Sequence, residues 1–321
     1  MLHSFIDQFW PSTVDGLSLG AIYGLVALGY TMVYGVLRLI NFAHSEIFMI
    51  GTMAALAVLD GLGTHLLGGF SLIGMVLLLA AAGAVLSGAS AVGLEYVAYR
   101  PLRRHGASRL AALISAIGAS IFLQQLFARL LIPKYFDLPK EKGALPISHQ
   151  FVERFNVISI GDFVVSNDKF VMIVGGLLMM VGLDLIVNRT KLGRGIRATA
   201  QDPETAVLMG VNIDRIVTAT FLIGGVMAGI AAGLYMMRFE ETNYFVGFVL
   251  SIKAFTAAVL GGIGNLRGAL LGGFVLGLLE FYGSSIFGSE WRDVVAFTVL
   301  VLVLMFRPTG ILGESLQQAR A

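Results

Sequence analysis

An all-α, polytopic transmembrane helical bundle with about nine membrane segments is the fold class this sequence predicts, and three observations predict it. The 321 residues are 57% hydrophobic and 13% charged, with a mean hydropathy of +0.84, too apolar for a soluble domain whose surface must be wetted. The apolar residues gather in uncharged runs long enough to cross a bilayer, which takes about 20 residues as a helix. The lysines and arginines gather between alternate runs, as expected of basic loops retained in the cytoplasm.

Taken in order, Gly16–Leu37 is uncharged and forms the first span, with Gly16, Gly20 and Gly24 on one face where a neighbouring helix can approach closely. The stretch before it has no basic run, so it does not read as a cleaved signal peptide. Arg38 ends the span, and a second helix starts near Asn41 and carries the apolar Ile47–Leu59. Leu62–Gly69 is expected to be an outer connection, followed by a long helix over Ser71–Tyr99 that Pro101 stops. Arg100, Arg103, Arg104 and Arg109, with no acid among them, make the next loop cytoplasmic.

A fourth span, Leu110–Leu131, leads into a hydrophilic segment over 133–169, placed outside, in which Phe151–Val165 has the β-branched and aromatic content of a hairpin. Phe170–Val187 is the fifth span, with Asp184 near its inner end where it can pair with Arg189 or Lys191. A polar loop over 188–215 follows. Ile216–Met237 is the sixth span, and Gly225, Gly229 and Gly233 repeat the small-residue face. Thr242–Leu266 is read as a full crossing interrupted by Lys253 and by Gly261–Asn265; Gly268–Phe287, which holds Glu280, and Val294–Phe306 complete the nine. With the amino end out and the carboxyl end in, 13 of the 22 lysines and arginines fall on the cytoplasmic side.

Within the polar loop, Asp202 suits a helix N-cap, Pro203 the first helical position and Glu204 the positive end of the helix dipole, while Gly210 ends the helix in a left-handed turn. The result is a short helix carrying Ala206, Val207, Leu208 and Met209 with no core of its own to bury them. Either a partner protein covers it or it lies flat in the lipid interface.

The function classes narrow in the same way. No cysteine is present, which excludes disulfides, thiolate metal sites and cysteine nucleophiles. A net charge of +2 gives no argument for nucleic acid, and there is no Gly-Lys dipeptide with which to build a phosphate-cradling ATPase loop. His-Glu-x-x-His is also missing, so enzyme readings are weak, and no cofactor or metal is expected on this chain. Polar residues do interrupt two apolar regions, Asn41, His44 and Glu46 in one and Gly261, Gly262, Gly264 and Asn265 in the other. Paired broken segments point to a central transport pathway, with Asn41 and Asn265 near one another or near a shared cavity. The competing reading is that these residues cap helix ends. For Lys253 and Glu280 a structural ion pair competes with a role in transport.

Glu204-Thr-Ala-x-x-x-Gly210 resembles the Glu-Ala-Ala-x-x-x-Gly cytoplasmic motif of ABC importer permeases. Gly193–Asn212 as a whole, with Asn41-Phe-Ala-His44-x-Glu46, Tyr99-Arg-Pro-Leu-Arg103 and Ala257–Asn265, is similar to the LivH-type permease of bacterial branched-chain amino acid importers. The departures are Thr205 for the motif's second alanine, Ser45 where the family often has glycine, and no Ile-x-Leu-Pro ending. The resemblance implies a single permease domain over 1–321 with the ABC importer permease fold, in the bacterial inner membrane. It implies a heterodimer with a related permease, two ABC ATPase subunits that use the ATP, and a periplasmic binding protein delivering leucine, isoleucine or valine. Asp202, Pro203, Glu204, Thr205, Ala206, Leu208, Met209 and Gly210 would then form a coupling helix docked on an ATPase. A urea or amide permease of the same superfamily, or a stand-alone secondary transporter coupled through Glu46, His44 or Glu280, are the alternatives.

Overall fold

The computed structural model describes residues 2–67, 72–136, 146–148, 154–160, 163–307 and 309–313. In chain order its helices are α1 (Leu2–Leu37), α2 (His44–Leu67), α3 (Leu72–Arg104), α4 (Arg109–Tyr135), α5 (Asn167–Arg189), α6 (Lys191–Gln201), α7 (Pro203–Leu208), α8 (Ile213–Phe239), α9 (Val246–Gly261), α10 (Leu266–Phe287) and α11 (Arg292–Phe306). Two antiparallel strand pairs accompany them: β1 (Ile147–Ser148) with β4 (Glu241–Thr242), and β2 (Asn156–Ile160) with β3 (Phe163–Ser166). Among the described residues, six helices are long and apolar enough to cross a membrane: α3, α4, α5, α8, α10 and, from Gln8 onward, α1. α2, with His44, Glu46 and Asp60 along it, and the shorter α9 and α11 fall outside that set.

The chain divides into two compact units, one of Met1–Thr31, Glu153–Ile186 and Ser251–Ala321, the other of Met32–Val152 and Val187–Leu250. In the first, α1 and α10 run antiparallel in glycine-to-glycine contact. A Cβ on Gly16 would stand 2.9 Å from the Gly277 carbonyl oxygen, and one on Gly20 2.7 Å from that of Gly273. α1 is buried along nearly all of Ser12–Val36. In the second, α2, α3 and α8 pack together around Ala55, Leu56, Leu59, Met75, Leu79 and Met236. α3 and α8 touch through backbone: Gly83 lies on the Gly229 carbonyl, Gly225 on Ser87, Gly88 and Ala91, and Gly233 on Leu79 and Ala80. Both glycine faces read from the sequence are therefore helix contacts.

Several boundaries differ from expectation. α1 begins well before Gly16 and runs through Pro11. α2 continues to Leu67, so the expected connection Leu62–Gly69 is helical as far as it is described, and 68–71 lie outside the described residues. Pro101 does not stop α3. A π-helical turn over Glu95–Tyr99 shifts the hydrogen-bond register just ahead of it, so Pro101 sits at a first-turn position that needs no N–H. The hairpin forms as β2–β3, within and just beyond Phe151–Val165, although 137–145 and 149–153 lie outside the described residues. Lys253 does not interrupt α9; the break comes only at Gly262–Asn265. α6 was not expected as a separate helix.

Large apolar side chains stay exposed along the long helices, among them Ile73, Leu77, Val85 and Val97 on α3 and Leu110, Ile114, Ile121 and Phe122 on α4. Bands of this size on helices of spanning length are what a bilayer covers.

Candidate functional site

The polar loop folds as two short helices. Thr190 caps α6 by accepting the Gly193 N–H at 3.0 Å, and the helix buries one residue in three, Gly193, Ile196 and Thr199. The other faces carry Arg194, Arg197 and Gln201. Asp202 breaks the chain with extended backbone and caps α7, accepting the Glu204 and Thr205 N–H groups at 3.0 and 3.2 Å and the Thr205 hydroxyl. That hydroxyl, with the Thr205 and Glu204 amides, holds the Asp202 carboxyl below its ordinary pKa. Gly210 follows with φ +85°, a conformation that resists any residue bearing a Cβ, and its N–H closes on the Val207 carbonyl at 2.9 Å.

Only Ala206 of α7 faces inward, at 3% exposure, so it anchors the helix and leaves the outer surface to others. Val207, Leu208 and Met209 point away, at 54%, 85% and 81% exposure. Two large apolar side chains almost wholly in the open, on a capped and anchored helix, form a presented surface.

The ends of this segment are held. Arg38 donates to the Ala200 carbonyl at 2.9 Å, and Arg197 to the Val187 carbonyl and Asn188. Beyond Gly210, Asn212 caps α8 by accepting the Arg215 N–H at 3.0 Å. Arg103 and Arg104 from α3 both bind Asp214, in the first turn of α8.

The two interrupted regions fall in different units. In one, Asn41, His44 and Glu46 are buried at the start of α2. The Asn41 carbonyl accepts the His44 N–H at 3.1 Å, and its side-chain oxygen accepts the Tyr99 hydroxyl at 2.9 Å. Glu46 Oε1 has Ser45 Oγ at 2.8 Å and Ser120 Oγ and Gln124 Nε2, both from α4, at 2.9 Å. Asn41 Nδ2 and Glu46 Oε2 are buried without a hydrogen-bond partner among the described residues, the kind of polar atom a passing polar solute can engage.

In the other unit, Asn265 caps α10: its oxygen accepts the Gly268 N–H at 3.1 Å and its nitrogen donates to the Leu312 carbonyl at 2.8 Å. The carbonyls of Leu260 and Gly261 at the end of α9 accept the N–H groups of Ile311 and Leu312. Gly262, with φ +106°, leaves room for this turn, since a Cβ there would lie 2.7 Å from Gly313 Cα. Gly261 meets the Gly268 backbone, whereas Gly264, with φ +99°, stands in the open. In the same unit Lys253 bridges Glu280 at 3.2 Å and Asp293 at 2.6 Å, and the Tyr23 hydroxyl donates to Glu280 at 2.9 Å. Asp184 pairs with Arg267 at 3.2 Å. Among the described residues no cluster of histidine and carboxylate side chains could hold a metal ion.

Residues 12–304 match the family model described as the branched-chain amino acid transport system, permease component. The chain is 45% identical to the high-affinity branched-chain amino acid transport system permease protein BraD of Pseudomonas aeruginosa, over 96% of this chain and 97% of that one. It is 39% identical to the corresponding LivH of Escherichia coli, over 95% and 96%. A probable LivH of Methanocaldococcus jannaschii is 26% identical over 90% and 88%. No solved structure matches the chain.

Proposed function

This chain belongs to the branched-chain amino acid transport permease family, and from that premise we propose the assembly in which it works. It is a multi-pass membrane protein and the permease of an importer of branched-chain amino acids; it is a transport component and not a catalytic enzyme. The partners we assign to it are a related permease, two ABC ATPase subunits bearing the ATP sites, and a periplasmic binding protein that delivers the amino acid. We place it in the bacterial inner membrane with nine crossings, α2, α9 and α11 included, the amino end outside and α6–α7 in the cytoplasm.

One observation carries the coupling role: Leu208 and Met209 stand almost fully exposed on a helix that Asp202 caps and Ala206 anchors. An apolar cleft on an ATPase would cover them, and closure of two ATPases on ATP would pull the helix. A helix lying flat in lipid needs an apolar face along its length, and α7 has only six residues, with its Glu204 and Thr205 and the N-cap Asp202 all exposed. For transport itself, Asn41 and Glu46 are the polar groups we assign to the route, because each keeps a buried polar atom without a hydrogen-bond partner among the described residues. His44 sits with them at the start of α2. In the other unit, Gly261, Gly262, Gly264 and Asn265 have the hydrogen bonds and contacts of the capping alternative; a share in the route is a proposal for them too.

The chain has no cysteine, so a single introduced thiol reports without background. With Leu208→Cys in the assembled importer, a short bifunctional reagent is expected to join the permease to an ATPase subunit. A thiol that joins no ATPase and is instead labelled by a lipid-soluble reagent contradicts the docking role.

A further inference from the structure

Asp214 lies four residues beyond Gly210, where the chain leaves α7 and enters α8, and it takes part in a network that local sequence pattern does not reveal. Glu95 on α3 is fully buried, and its two oxygens meet Arg100 Nε and Nη2 at 3.2 and 3.0 Å. Side chains five apart stand roughly 140° apart around a regular α-helix, at about 3.6 residues per turn. The π-helical turn Glu95–Tyr99 closes the Arg100 N–H on the Glu95 carbonyl and brings the two onto one face. Arg103 then bridges the carboxylates, touching Glu95 at 3.2 Å and Asp214 at 2.5 Å, and Arg104 takes the other Asp214 oxygen at 2.8 Å. One turn further along α8, Thr218 accepts from Arg100 at 2.7 Å and donates to Glu95 at 3.1 Å.

We propose that Glu95 and Asp214 are positioning residues that fasten the exit of the docking helix to α3, so that motion imparted at α7 enters the membrane through α3 and α8 together. The inference rests on the docking role of α7. Asp214 and Thr218 are separated by one helical turn and so face α3 from the same side of α8. Beyond the network the two helices remain in backbone contact, from Ser87, Gly88 and Ala91 against Gly225 to Leu79 and Ala80 against Gly233. Interfaces packed this closely transmit displacement because they have little room to deform. With the fastening released, α7 would still dock and the ATPases would still close, but the first turns of α8 would yield without drawing α3.

The test uses the assembled importer in proteoliposomes with its binding protein and labelled leucine. Asp214→Asn keeps the size of the side chain and removes the charge; Asp214→Glu keeps the charge. Asp214→Asn is expected to retain bound ATPase and its ATP hydrolysis while leucine moved per ATP falls about tenfold, as a half-buried charge pair losing one member predicts. Asp214→Glu restores most of that ratio. An unchanged ratio in Asp214→Asn, or uptake that falls only in step with the amount of assembled complex, overturns the positioning role. Leu208→Glu is run alongside: if it releases the ATPase while Asp214→Asn stays fully coupled, only the fastening is wrong. If Leu208→Glu leaves the ATPase bound, the docking role fails and the fastening with it.

Discussion

Lys253 shows how a single residue is tolerated inside an apolar helix. Its side chain is 7% exposed, with the ammonium between Glu280, fully buried, and Asp293, more than half exposed. Lipid cannot solvate either buried charge, so each depends on the other, and the Tyr23 hydroxyl occupies a remaining lone pair of Glu280. Lys253→Met should lower the stability of the detergent-solubilised protein by about 3–5 kcal/mol, because it strands the Glu280 charge. Lys253→Met with Glu280→Gln should recover most of that loss in thermal unfolding. If the double variant is no more stable than the single one, the pair is not what holds Lys253 there. The sequence displayed both residues and left their relation open between a structural pair and a transport role; their adjacency depends on how α9 and α10 pack.

At the scale of the element, small residues decide which helices meet. Gly229 has no room for a side chain, since its Cβ would fall on the backbone of Gly83 and Ala84, whereas Gly118 on α4 has nothing within 4 Å. Gly229→Leu should therefore push α3 from α8 at a cost of roughly 1–3 kcal/mol or more, while Gly118→Leu does not lower the melting temperature. Equal melting temperatures for the two variants would refute the contact. The four-residue spacing of Gly225, Gly229 and Gly233 made the contact face legible, although not the identity of the helix across it. The α7 cap and its glycine stop were legible too, because Asp202, Pro203 and Gly210 act locally. α6 was not, since Gly193 and Gly195 weaken helix propensity; only the Thr190 cap and the burial of every third residue mark it. The network of Glu95 with Arg103 and Asp214 was hidden for another reason: a π turn and a contact between residues more than a hundred positions apart leave no periodic trace.

For the whole molecule, the distribution of arginine sets the orientation we assign. Single cysteines at Ala107, between α3 and α4, and at Thr199, on α6, should react with a membrane-impermeant reagent only from the cytoplasmic side; Thr199 is buried, so its labelling is read in opened vesicles under mild denaturant. A cysteine at Ser148, in β1, should react from outside. Labelling of Thr199 in sealed, intact cells would reverse the orientation.

We propose α7 as the point at which ATP hydrolysis by a partner subunit acts on this chain. The most direct test of that role is ATP-driven leucine uptake by the reconstituted importer carrying Leu208→Glu. A carboxylate in place of an 85% exposed leucine disturbs nothing inside the permease, yet it cannot enter an apolar cleft without losing its hydration. Uptake should be lost while the permease keeps its melting temperature and its place in the membrane. Uptake at the wild-type rate would contradict that role.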